Sequence, residues 1–140
     1  MILCVEDEAD LRADLAEELR DAGYETAEAA NGAEGLKAIL DLEPDLVFCD
    51  VTMPVMNGIA MFETLRREHP RLAGTKFVFL SALDDIPCRV DLDLRVEEFL
   101  TKPVDFDVVL SSVKRIVGGP ADIARRRAAK IRRKTTDAAA

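Results

Sequence analysis

Apolar runs recur along the chain at regular intervals, and polar or turn-forming residues separate them. Residues 1–5, 46–49 and 77–80 are continuous apolar stretches with no alternation. A half-exposed strand alternates, so unbroken runs of this length read as short strands covered on both faces. Residues 24–27 form a weaker strand candidate, and Phe99-Leu100 a brief last one. Between these runs the spacing becomes helical. Leu11, Leu15 and Leu19 recur every four residues and stop at Gly23; Leu36, Ile39 and Leu40 share a face between Asn31-Gly32 and Pro44. Asn57 can cap a third helix with Ile59, Phe62 and Leu65 inward, which Pro70 and Gly74 break. Residues 84–94 include Pro87 and show no strong period, so they predict a short or irregular helix. Asp105 caps a final pattern of Phe106, Val109, Leu110, Val113 and Ile116.

This is a β-α unit repeated five times with short connections. Alternating units of this size require parallel strands and right-handed crossovers. The expected fold is therefore α/β: a doubly wound five-stranded parallel sheet with helices on both faces. After Gly118-Gly119-Pro120 the chain turns to Ala, Arg and Lys. A domain over residues 1–117 and a basic helical or flexible extension over 118–140 follow.

The composition places limits on function. The 140 residues are 49% hydrophobic and 33% charged, as in ordinary globular chains. No apolar run approaches a membrane span, and the N-terminus lacks the cationic start of a signal peptide, so a cytoplasmic location is expected. Cys4, Cys49 and Cys88 have no metal-like spacing, and the first two lie inside apolar strands as small hydrophobes. The net charge of −8 is unevenly placed: residues 118–140 carry seven Lys/Arg against two Asp (+5), leaving −13 on residues 1–117.

Chemistry converges on the strand ends. In open α/β sheets ligands bind at the carboxyl edge. Glu6-Asp7 follows the first strand, Asp50 ends the third, Ser81 ends the fourth, and Lys102 follows the fifth. Three crowded carboxylates repel, by about 4 kcal/mol per pair at about 4 Å and an effective dielectric near 20. Protonation or a divalent cation relieves this. An oxygen-only donor set suits Mg²⁺ better than zinc. With a cation present, a phosphoryl group could approach, held by Lys102 and Ser81.

These residues carry a resemblance. Val5-Glu6-Asp7-Glu8, the run from Phe48 to Pro54 around Asp50 with Asn57-Gly58, Leu80-Ser81-Ala82, and Phe99-Leu100-Thr101-Lys102-Pro103 are similar to the motifs of receiver domains of bacterial two-component response regulators. The resemblance implies a flavodoxin-like strand order 2-1-3-4-5. It implies that Asp50 accepts a phosphoryl group from a sensor histidine kinase or a histidine phosphotransfer protein. Asp7, Asp50 and the Thr52 backbone carbonyl would hold Mg²⁺, with Glu6 acting through metal-bound water. Ser81, with Ala82 beside it, would be the switch hydroxyl, Lys102 the phosphate-pairing cation, Phe99 the aromatic switch, and Lys102-Pro103 a cis bond. The face of residues 84–94, the Phe99 strand and the last helix would be the output surface and a possible homodimer contact.

Three positions depart from the family pattern. Glu6 stands where Asp is commoner, residues 94–98 lack a helix-ending Gly-Ala, and Phe99 has no hydroxyl. Two other readings of the fold are a phosphatase using a nucleophilic aspartate and an interaction domain that never carries phosphate. The first usually needs a second Asp where Thr52 stands; retention of Glu6, Asp7, Asp50, Ser81 and Lys102 opposes the second. The only chemistry expected is self-directed: phosphoryl transfer to, and hydrolysis from, Asp50. The tail lacks aromatic residues for base stacking. It reads as a solvated helical extension first and a partner or dimer contact second. Nucleic-acid binding within these residues comes last.

Overall fold

The computed structural model describes residues 1–53, 55–72, 74–82 and 98–139, with side chains of 98 and 134–139 left aside. Five strands form one parallel sheet: β1 (Ile2–Val5), β2 (Thr26–Ala29), β3 (Leu46–Asp50), β4 (Lys76–Ser81) and β5 (Glu98–Thr101). Their order is β2-β1-β3-β4-β5, the flavodoxin-like order. The helices are α1 (Ala9–Asp21), α2 (Gly32–Leu42), α3 (Gly58–Glu68), α4 (Phe106–Val117) and α5 (Pro120–Ala139). The expected helix at 84–94 lies outside the described residues.

Strand residues alternate between two cores. Ile2, Cys4, Phe48, Val78 and Leu80 pack with Leu15 and Leu19 of α1 and with Val109 and Val113 of α4. Leu3, Val5, Val47, Phe77 and Phe79 pack with Ile39 of α2 and with Met61, Phe62 and Leu65 of α3. Burial on both faces explains why β1, β3 and β4 show no polar alternation. The caps expected at Asn57 and Asp105 form, and Asn31, expected only as a turn, caps α2 as well. Asn31 accepts from the Glu34 N–H at 2.9 Å, Asn57 from Ala60 at 2.8 Å, and Asp105 from Asp107 at 2.9 Å. At the end of α1, Gly23 takes the left-handed φ of 97° that terminates the helix.

Two elements differ from expectation. The second strand begins two residues later than its apolar pattern suggests. Tyr24 is buried under α1 and donates its hydroxyl to the Gly118 carbonyl at 2.8 Å, so its ring fills core space ahead of the strand. The basic segment is a helix, and its first turns are docked rather than solvated. Ile123 is buried in the core that holds Tyr24 and Val117, and Arg127 reaches Asp45 at 3.4 Å. One buried isoleucine anchors a helix that otherwise reads as solvent-facing, because its apolar content is too sparse to show a period.

Candidate functional site

The sheet delivers its polar residues to one rim because all five strands run parallel and end together. Asp50 is the last residue of β3 and 5% exposed; Glu6 directly follows β1 and is fully buried. Asp7, next along, is exposed. Ligand oxygens of Glu6, Asp7 and Asp50 all lie within 4.8 Å of one another. The first turn of α3 holds the end of β3 from below. A Cβ on Gly58 would stand 2.3 Å from the Asp50 carbonyl oxygen and 2.7 Å from Cys49 Sγ, so only glycine lets the helix approach this closely.

Lys102, after β5, bridges the cluster. Its ammonium lies 2.9 Å from Asp50 Oδ2 and 3.2 Å from Glu6 Oε1. The like-charge crowding expected from sequence is therefore partly neutralised within the chain. Burial lowers the Lys102 pKa, but the hydrogen bond and charge of Asp50, then of Glu6, outweigh it and hold the ammonium above its ordinary value. Burial, then the Asp50 charge, pushes the Glu6 carboxyl up to about 7 against the pull of Lys102. Among the described residues, buried Glu6 Oε2 has no hydrogen-bond partner. An orphaned carboxylate oxygen beside two more carboxylates fits a cation there, and the all-oxygen donor set fits a hard divalent ion. Burial, then Asp50 and Glu6, drive the Cys49 thiol well above its usual range, leaving it an inert filler.

The remaining rim residues gather around Asp50. Asp50 Oδ1 accepts from the Thr52 N–H at 3.2 Å. Ser81, at the end of β4, is 1% exposed and donates its hydroxyl to the Ala82 carbonyl at 2.9 Å. Its carbonyl accepts from the Lys102 N–H at 2.8 Å, which ties the Lys102 loop to β4. The Lys102–Pro103 peptide bond is cis. Phe99 stacks on Phe79 with centroids 5.5 Å apart, on the sheet face that Ser81 shares with Phe79. Glu6, Asp7, Asp50, Ser81 and Lys102 thus lie along this rim, with Phe99 behind it against Phe79.

Val55 escaped the sequence reading. It sits five residues beyond Asp50 with φ of 71° and 84% exposure. A β-branched residue in that region is strained. No sequence signal marked it, since the glycine that usually betrays such a position is absent.

Comparison with known proteins agrees with this geometry. A family model described as response regulator receiver domain matches residues 2–114. The chain is 31% identical over 117 residues to the transcriptional regulatory protein PrrA of Mycobacterium tuberculosis, covering 83% of this chain and 49% of that one. It is 29% identical over 117 residues to the DNA-binding dual master transcriptional regulator RpaA of Synechocystis, covering 83% and 48%. The chain thus spans about half the length of these curated relatives. Among solved structures, the receiver domain of NtrX from Brucella abortus superposes with a TM-score of 0.72 at 31% identity, covering 83% of this chain and 97% of that one. The response regulator TrrA of Thermotoga maritima, solved with Mg²⁺ and BeF, gives 0.70 at 34% identity, covering 82% and 96%. Among the described residues, no helix is long and apolar enough to cross a membrane.

Proposed function

The chain belongs to the response regulator receiver domain family, and from that premise we propose that Asp50 takes a phosphoryl group from the phosphohistidine of a sensor kinase or a histidine phosphotransfer protein. The observation that carries this reading is Lys102 bridging Asp50 and Glu6 beside an orphaned Glu6 oxygen. In the transfer, a carboxylate oxygen of Asp50 forms a bond to phosphorus as the histidine N–P bond breaks, and the imidazole keeps the electron pair. Asp50 supplies the attacking oxygen while the Lys102 ammonium, 2.9 Å from its Oδ2, holds the side chain in place. The ammonium is placed to follow the charge from carboxylate to phosphoryl oxygens.

Glu6, Asp7, Asp50 and the Thr52 carbonyl are the groups that would hold Mg²⁺. When bound, the ion neutralises the carboxylates and offsets the charge of an incoming phosphoryl group. Family resemblance and the Mg²⁺ in TrrA's structure support this choice of metal. The chain's chemistry is confined to its own aspartate, in keeping with a family of signalling domains.

The signal leaves through β4 and β5. A phosphoryl group adds up to two negative charges at the rim. Ser81 is the hydroxyl nearest along the sheet; turning from the Ala82 carbonyl toward the phosphoryl oxygens frees space on the face where Phe99 stacks. Phe99 is half-buried and can change rotamer there, altering the surface of β5 and α4. That surface is the one we assign to output, with a partner protein or a second copy. Acetyl phosphate with Mg²⁺ is expected to add one phosphoryl group by intact mass, and Asp50→Asn to abolish it. Labelling that survives Asp50→Asn would overturn the assignment.

A further inference from the structure

Helix α5 takes no part in the site. Its inner turns are docked near Gly23, through Pro120 and Ile123, and its Arg127 reaches Asp45 and the Glu43 carbonyl. Farther out, every described residue from Lys130 to Arg133 is exposed. Ile131 is 64% exposed and Leu42 40%, and both line a groove of about 260 Å³ between α5 and the end of α2. Arg126, Lys130 and Arg133 stand at i, i+4 and i+7, so they form one basic stripe beside this apolar strip.

A matching stripe of opposite sign lies on α1. Asp10, Asp14, Glu17 and Asp21 recur at i, i+4, i+7 and i+11, all exposed. The two arginines of α1 turn away to Glu28 of β2, Arg12 at 3.6 Å and Arg20 at 3.3 Å. Among the described residues none of the four acids pairs with a cation. The acidic stripe covers eleven residue steps, roughly 16 Å, and the basic stripe from Arg126 to Arg133 covers seven, roughly 10 Å, so it can lie along the acidic one. Exposed Ala9 and Ala13 flank the acids and leave room for Ile131 to approach.

We propose that the outer half of α5 is an association surface whose occupant is α1 of a second copy of this chain. Pairing of α5 with α5 would set like charges against each other, whereas α5 on α1 joins the +5 segment of one copy to the −13 body of another. When each copy both gives its α5 and receives its partner's, the two contacts are related by a two-fold axis and the assembly closes as an isologous pair. It draws on none of the phosphoryl chemistry.

Sedimentation velocity of the full chain tests this in about 0.02 M and about 0.5 M salt, where the screening length differs several-fold. The wild type is expected to associate at low salt and to separate at high salt. Lys130→Glu/Arg133→Glu and, separately, Asp14→Lys/Glu17→Lys should each weaken low-salt association about tenfold or more, with melting curves showing that both variants fold. Mixing the two variants in equal amounts should restore association, because each reversed stripe then meets its complement. A wild type that stays monomeric at low salt overturns the proposal. So does association that survives either reversal, or a mixture that remains monomeric.

Discussion

Replacing Glu6 by Gln should stabilise the metal-free protein at pH 8 and stabilise it much less at pH 5. Glu6 is fully buried, one of its oxygens has no partner among the described residues, and burial raises its folded pKa to about 7 against an ordinary 4.5. Below 4.5 both folded and unfolded chains carry a proton on this carboxyl, so it costs nothing. As pH rises from 4.5 to 7 the unfolded chain ionises first, and folding stability falls; above 7 the penalty is constant. The full shift corresponds to about 3 kcal/mol, at about 1.4 kcal/mol per unit. Relaxation of the rim and entry of water reduce this to about 1–3 kcal/mol. Gln removes the charge, keeps an acceptor for Lys102 and offers its amide hydrogens to the neighbouring carboxylates. Urea unfolding in EDTA should then show a midpoint about 0.5–2 M higher for the variant at pH 8, given slopes near 1.5–2 kcal/mol/M. Added Mg²⁺ should shrink or reverse the gap, since the wild-type carboxylate then gains a cation. A Gln variant no more stable than wild type at pH 8, or a gap equal at both pH values, would refute the account.

The other perturbations act away from the charge cluster. Val55→Gly relieves a left-handed β-branched residue, a gain of about 1–2 kcal/mol reduced by the extra chain entropy of glycine. Thermal unfolding should show a rise of a few degrees, whereas Val55→Ala should show none because it keeps a Cβ; equal effects would mean the backbone there is unstrained. Ile123→Ala should cost about 2–3 kcal/mol, because the side chain is 6% exposed within the main core. Acetyl phosphate labelling of that variant should remain intact, since α5 lies away from the rim. A variant as stable as wild type would show that the helix is only loosely held.

The sheet and its rim were legible in the sequence for a physical reason. Strands buried on both faces must be continuously apolar, and β1, β3 and β4 announce themselves that way. Parallel strands linked by short helices leave only one edge at which Glu6, Asp50, Ser81 and Lys102 can meet. The caps at Asn57 and Asp105 were equally readable, because a helix start needs a local acceptor that the same few residues supply. Tertiary structure alone decided what depends on distance across the fold. Lys102 sits between Asp50 and Glu6, yet 52 and 96 residues separate it from them along the chain. Burial, together with the Asp50 charge, raises the Glu6 carboxyl and leaves one oxygen orphaned; neither follows from an acid's place in a motif. Tyr24 belongs to the core rather than to its expected strand because Gly118, 94 residues away, accepts its hydroxyl. The docking of α5 combines Ile123 in the core, Pro120 against Gly23 and Arg127 on Asp45, which no periodicity can reveal: a sparse apolar residue on a charged helix becomes an anchor only when the fold brings a core within its reach.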